Sequence, residues 1–299
     1  MRRSIPFILF LTACAVPTGT QSPPPPAFDQ QIEEVIVALP PDLEKHSHRS
    51  QNQEERIIES KNPPFFVGEK LAYDVKFFGI QAGEVEVSVP RVVRIDGKLA
   101  YDFYAKGKTS PLISVLYSAN DDIESYVGVS DLRPIKHVMN MRETNRLQYR
   151  VMVFDQKKKK ILFYDRLIKH SKIPRVIEYE QNWEHDATDA LGVFYWLRFQ
   201  KPVVGKDYYR YVFDNGKFWL LKATVLRKEE INTPLGKIKT FVVKPYTYHE
   251  GVLKQKADAL IWVSDDERKI PVKIEAKVMF GKLSAIIKAM PPQNRSNIN

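Results

Sequence analysis

The chain has 299 residues, of which 43% are hydrophobic and 27% charged, with 46 Lys+Arg against 36 Asp+Glu and a net charge of +10. That composition excludes wholesale disorder, a collagen-like repeat and a multi-span membrane protein, and the basic balance points to anionic partners such as lipid headgroups, cell-wall polymers or nucleic acid. The single cysteine, Cys14, excludes intrachain disulfides, and zinc-ribbon, thioredoxin-like and disulfide-scaffold folds with them.

The chain starts with a positive segment, Met1-Arg2-Arg3-Ser4, and a short apolar run, Ile5-Pro6-Phe7-Ile8-Leu9-Phe10-Leu11. The run is far below the roughly 20 residues that span a bilayer. Residues 1–13 therefore read as a secretory signal peptide. It closes on Leu11-Thr12-Ala13-Cys14, which resembles the lipobox of bacterial lipoproteins. The resemblance implies a diacylglycerol on the Cys14 thiol, cleavage before it and acylation of the new amino group. Several acyl chains, at about 0.8 kcal/mol per buried CH2, make such an anchor effectively permanent. Ala15 follows the cysteine. By resemblance to enteric lipoproteins, that implies an outer-membrane anchor and a periplasm-facing body. The alternative is an ordinary secretory signal, which leaves Cys14 as a free thiol in an oxidising compartment.

Residues 14–64 read as the lipidated cysteine and a tether. Pro23-Pro24-Pro25-Pro26 favours stiff, extended geometry. Residues 44–56 are polar and lack an apolar period. The island Val35-Ile36-Val37-Ala38-Leu39 is expected to form a short helix or dock on a neighbour. His46 and His48 have no third ligand nearby, so no metal site is assigned.

From Phe65 the apolar period becomes two. Tyr73, Val75 and Phe77 alternate with polar residues, as do Val85, Val87 and Val89. Tyr149, Val151 and Val153 form another apolar face, and Trp219, Leu221, Ala223 and Val225 a further one. Val272, Ile274, Ala276 and Val278 follow, then Leu283, Ala285, Ile287 and Ala289. Such alternation predicts strands with one buried and one wet face, the habit of antiparallel sheets. Asp96-Gly97 and Asn215-Gly216 are two-residue hairpin signals. Thr233-Pro234-Leu235-Gly236 reads as a type I turn. Lys157-Lys158-Lys159-Lys160 reads as a solvated hairpin tip, or as a headgroup contact worth about 1 kcal/mol per lysine. About a dozen strands are predicted over residues 65–290 in one β-rich domain, with a polar tail at 291–299. A sheet this wide must curl, split or close.

Two segments break the rhythm. Ser110-Pro111-Leu112-Ile113-Ser114-Val115-Leu116-Tyr117 predicts a short helix, capped by Ser110 with Pro111 at its first position. A longer helix is predicted within 186–199, capped by Asp186, with Asp189 in its first turn. It is apolar nearly all round from Ala190 to Phe199, so it must be covered on most sides. The expected fold is mainly β: a large curved antiparallel sheet or unclosed β-barrel with this apolar helix on its concave face.

No catalytic constellation emerges. There is no nucleophile elbow, zincin pair, Walker loop or dinucleotide fingerprint. Glu184-His185-Asp186 reads as the helix cap and Asp265-Asp266 as turn-formers. No enzyme activity, cofactor or metal is expected, and no motif supports nucleic acid. Aromatic residues make up 11% of the chain. Strand aromatics pack cores and also line apolar cavities. Phe194, Trp196, Leu197 and Trp219 are the candidate ligand-binding residues.

The body resembles a bacterial envelope family, domain of unknown function 3108. The resemblance is carried by Gly68-Glu69-Lys70-Leu71-Ala72-Tyr73, Gly79, Ala82-Gly83, Asp189-Ala190, Tyr195, Arg198, Glu230, Thr233-Pro234-Leu235-Gly236 and Trp262 to Val272. It implies no activity and no catalytic residue. The strand pattern with its apolar helix is also similar to the half-barrels of periplasmic lipoprotein carriers, which hold acyl chains under a helical lid. Fold alone does not fix function. The first expectation is an outer-membrane lipoprotein that binds a lipid or other hydrophobic envelope component without catalysis. The second is a scaffold that binds envelope protein or cell wall, and the third an envelope-polymer enzyme.

Overall fold

The structure is a computed structural model that describes residues 63–169, 173–249, 252–253, 258–278 and 281–292. The segments read as signal peptide, lipidated Cys14 and tether, with the apolar island and histidines as far as Asn62, and the tail from Gln293 lie outside the described residues.

The first arm is a meander of eight strands: β1 (Lys70–Phe77), β2 (Ile80–Ile95), β3 (Lys98–Thr109), β4 (Ala119–Gly128), β5 (Pro134–Glu143), β6 (Arg146–Asp155), β7 (Lys160–Lys169) and β8 (Arg175–Asn182). The short helix α1 (Pro111–Ser114) joins β3 to β4. The second arm holds β9 (Ala187–Thr188), the helix α2 (Ala190–Arg198), β10 (Asp207–Asp214), β11 (Lys217–Thr233), β12 (Gly236–His249), β13 (Val252–Leu253), β14 (Asp258–Ser264), β15 (Pro271–Val278) and β16 (Gly281–Ala289). The spatial order is β8-β7-β6-β5-β4-β3-β2-β1-β16-β15-β14-β12-β11-β10-β9, with β13 on β12. Among the described residues only the two-residue β9 pairs in parallel, against β10. The sheet is mainly antiparallel, as its alternation predicts, and it is unclosed. Among the described residues no helix is long and apolar enough to cross a membrane.

Three hairpins turn on residues with positive φ at both central positions: Phe78-Gly79, Asp96-Gly97 and Asn215-Gly216. This geometry matches the twist of the flanking strands. Lys157 and Lys158 lie in the β6–β7 turn, where Asp155 Oδ1 accepts from both of their backbone N–H groups.

Register shows how the sheet curls. Directly opposed residues in an antiparallel ladder share a face. From Tyr73 one face runs through Val85; from Val87 on the same strand it continues through Ala105, Ile123, Met139 and Arg150. From Val75 it runs the other way through Ala285, Ile274, Ile261, Val243 and Val225. This face is the inner one, for α2 packs on it from both sides. Leu191, Phe194 and Tyr195 join the main core with Tyr73, Val87, Phe103 and Met139. Leu197 joins Ala223, Val225 and Val243. The helix therefore sits on the concave face, where its all-round apolarity requires it.

The two arms also overlap. Tyr211, Phe213 and Phe218 lie on the outward face of β10 and β11, opposite in sense to Val212 and Ala223. Yet Phe213 packs in one cluster with Met152, Phe154, Ile161 and Phe163 from the inner face of β6 and β7. The sheet is a scroll: the β10–β11 edge lies inside the β6–β8 arm. Burial on both faces explains why Val151, Met152, Val153 and Phe154 are buried consecutively rather than alternately.

Arg150 fixes the overlap. It is buried on β6 and donates to Asp165 Oδ1 at 3.0 Å, Asp214 Oδ1 at 3.2 Å and Asn215 Oδ1 at 2.6 Å. Its guanidinium lies 5.4 Å from the Phe163 ring centroid. Removing one partner of a buried charge set leaves the others uncompensated, at about 3–5 kcal/mol. Arg150→Ala is expected to lower unfolding free energy in urea by about that amount. Amide exchange should rise first at the β8 and β10 edges; a loss below about 1 kcal/mol would show that the seam does not depend on Arg150.

Candidate functional site

The site is built around α2, which bridges the two arms. Its N-cap is Asp189, whose Oδ1 accepts from the backbone N–H groups of Leu191 and Gly192, both at 2.9 Å. The expected cap, Asp186, is corrected by this geometry. Ala187 and Thr188 form β9, and Asp186 sits half outside, bonded to Arg210 at 3.0 Å. Gly192 is required where it stands: a Cβ there would fall 2.1 Å from Thr188 Oγ1.

Asp189 is fully buried and holds more than the cap. Ser125 Oγ donates to its Oδ2 at 2.5 Å, and His137 Nδ1 lies 3.4 Å from its Oδ1. A Ser, a His and an Asp thus meet, but the carboxylate stands between the other two. In a hydrolytic triad the imidazole stands between, to take the hydroxyl proton. All three are buried. The cluster anchors a helix rather than activating a nucleophile. Among the described residues no group of three or more His, Cys, Asp or Glu is placed to hold a metal ion.

The C-terminal end of α2 carries a second buried charge. Arg198 binds Glu69 with both arms, Nη1 to Oε1 at 2.5 Å and Nη2 to Oε2 at 2.9 Å. It also donates to the carbonyls of Pro64 at 2.6 Å and Arg268 at 3.0 Å. One turn earlier, the Tyr195 hydroxyl donates to the Ser88 carbonyl at 3.0 Å. Burial pushes the Tyr195 pKa well up, so the phenol stays a neutral donor. Phe65 meets Tyr101, Phe103, Tyr195 and Phe199 edge-on, at centroid distances of 5.1 to 5.7 Å. This end of the interior is packed solid.

The four candidate ligand residues do not share one lining. Phe194 is buried in the main core and Leu197 packs on β11 and β12. Trp196 is half-buried on the helix. Trp219 is half-buried on β11, its Nε1 donating to the Asp214 carbonyl at 3.2 Å and its ring 5.0 Å from His249. By register Trp219 and Leu221 share the inner face with Arg210 and Thr247. All of these stay half-buried, unlike Ala223 and Val225 farther along the same strand. The inner wall is thus covered by α2 at one end and open to solvent at the other.

Sequence reasoning missed Glu69, Ser125, His137 and Arg150 as partners. One signal was present: an arginine in an otherwise apolar helix requires a buried partner.

The model of the family described as protein of unknown function (DUF3108) matches residues 72–288. The chain belongs to this family. Three solved structures are similar. A β-barrel-like protein of DUF1849 from Brucella abortus has a TM-score of 0.45 and 8% identity, over 73% of this chain and 94% of that one. A candidate exported protein with a YmcC-like fold from Bacteroides fragilis has a TM-score of 0.34 and 9% identity, over 77% and 98%. A candidate lipoprotein from Parabacteroides distasonis has a TM-score of 0.30 and 10% identity, over 77% and 97%. Comparison with curated proteins finds no match. In this DUF3108 chain the quoted residues Glu69, Asp189, Tyr195 and Arg198 prove to be the polar anchors of α2.

Asp189 gives the anchor a pH signature. Burial alone would raise its pKa; the charge and hydrogen bond of His137, the Ser125 hydroxyl and the Gly192 N–H outweigh it and hold the carboxyl below its ordinary value. As pH falls, the unfolded chain takes up the proton first. The stabilisation is therefore complete above the unfolded pKa and is lost as pH falls through the folded one. Asp189→Asn should cost about 1–3 kcal/mol at neutral pH. It should also remove part of the acid slope seen in urea unfolding below about pH 4. An unchanged slope would show that Asp189 is not charged in the fold.

Proposed function

We propose that this protein is a cell-envelope lipoprotein, anchored in the outer membrane through Cys14 and facing the periplasm, whose scroll binds a lipid or other apolar envelope component without catalysis. The half-open inner wall carries this reading. Trp219 and Leu221 present apolar surface to solvent from inside the scroll, beside the polar groups of Arg210, Thr247 and His249. An apolar wall with a few polar groups at its mouth is the usual build of a lipid or small-molecule site. The triad-like residues are buried and committed to α2, which supports a binding role over a hydrolytic one. The lipobox resemblance supplies the address.

The solid packing around Phe65 and Tyr195 favours a second reading, a scaffold that works through its outer surface. Native mass spectrometry of the protein purified from membranes separates the two. The binding reading expects a co-purified lipid adduct beyond the covalent anchor. Trp219→Ala should weaken it about tenfold, since burying a large apolar side chain is worth about 1.5–3 kcal/mol. A protein free of adduct, with Trp219→Ala folding normally, would leave the scaffold reading standing.

A further inference from the structure

Six large apolar side chains stand out at one end of the scroll. Phe77, Phe78 and Ile80 form the β1–β2 turn, while Leu112, Val115 and Leu116 lie on and just after α1. Phe78 is 62% exposed, and Val115 and Leu116 are each 83% exposed. The two segments form one surface. Ser110 N donates to the Ala82 carbonyl at 2.8 Å, and Ser110 Oγ to the Gln81 carbonyl at 3.0 Å.

Folding does not account for Phe78. It occupies the first central position of a two-residue turn with φ 51°. The same position holds Asp96 and Asn215 in the two other hairpins of this type, residues that tolerate the left-handed region. A bulky aromatic there is a steric outlier. Its ring meets Phe77 edge-on at 4.7 Å and rests on Gly281, where a Cβ would fall 2.2 Å away, yet most of its surface stays in water. A strained position that displays an aromatic outward is a functional signal.

Lysines ring this end. Lys76 closes β1, Lys108 lies at the end of β3, and Lys277 and Lys282 face each other across the β15–β16 ladder. Lys282 reaches Glu275 at 2.6 Å and Lys108 reaches Glu84 at 3.9 Å, so part of this charge is paired within the sheet. Lys108, Lys277 and Lys282 nonetheless stay exposed, where an anionic surface can meet them.

We propose that this end inserts into the headgroup layer of a bilayer that carries anionic lipid. Phe78, Leu112, Val115 and Leu116 enter the acyl boundary, and the lysine ring meets lipid phosphates. Apolar tips with a basic rim are how interfacial segments sit on membranes. The tip is convex, made of a turn and a helix end, and so fits a bilayer rather than a peptide strand or helix, which needs a groove. It lies at the far end of β1 from Pro64, about 25 Å away at 3.3 Å per residue. Residues 14–62, at up to about 3.3 Å each, are long enough to bring it to the anchoring membrane. The inference does not depend on a ligand at the inner wall.

The test uses the full acylated chain with a polarity-sensitive label at Leu116→Cys, and at Leu235→Cys on the opposite end as reference. In vesicles of phosphatidylcholine with phosphatidylglycerol, the label at 116 is expected to shift to the blue and to be quenched by an acyl-chain nitroxide. The label at 235 should do neither. Lys277→Glu with Lys282→Glu should reduce insertion about fivefold per lysine, the equivalent of about 1 kcal/mol each. Lys158→Glu, at the other end, should leave it unchanged. Blue emission at 116 without vesicles would mean that the tether or a second copy covers the tip. Equal behaviour of the two labels would mean that the tip meets no bilayer. Either result overturns the proposal.

Discussion

Arg198 is the charge around which this molecule is assembled. It sits fully buried on the last turn of α2 and binds three groups from two other segments: the Pro64 carbonyl, the Glu69 carboxylate and the Arg268 carbonyl. A guanidinium cannot shed its proton to escape burial. Each donor must therefore find an acceptor, and the acceptors come from the entry to β1 and the turn before β15. Well-packed apolar residues could be as stable as this pair, so what it supplies is specificity of docking. With Asp189 gripping the other end, α2 is held at both termini.

A helix fixed in that way dictates the shape of the sheet. Leu191, Phe194 and Tyr195 hold the first arm, and Leu197 holds the second. The arms must curl around the helix, and their edges then meet. They overlap instead of pairing, because β9 is only two residues long and the outward face of β10 and β11 is aromatic. Overlap hides the inner ladder edge, a device that also protects against edge-to-edge association. The last turn of α2 lies toward Glu69 and Arg268 at one end of the sheet, and the inner wall from Leu221 to Trp219, toward the other end, is left half-open.

Much of this architecture is legible from local pattern. The period of two, the Asp96-Gly97 and Asn215-Gly216 turns and the all-apolar helix lead directly to a curved antiparallel sheet with a helix inside. Such signals are short-range, and strand pairing within hairpins follows from them. Three features escape such reading. The cap moved from Asp186 to Asp189 because a buried partner pair, Ser125 and His137, decides between two acids three residues apart. The overlap of arms is invisible because it joins outward and inward faces of strands far apart in sequence. The contact of Glu69 with Arg198 spans 129 residues. No local period encodes it. The exposed tip is half legible: Phe78-Gly79 looks like strand sequence until its turn geometry is known.

Amide hydrogen exchange of Arg198→Met against the unaltered protein tests the central claim most directly, since methionine keeps the bulk and removes the charge. If Arg198 organises the interior, protection is lost together in α2, at the start of β1 from Glu69 to Tyr73, and at Ile270 to Val272, while β6 and β7 keep theirs. Loss confined to the last turn of α2 would contradict the account, for it would mean that the scroll holds its helix without that charge.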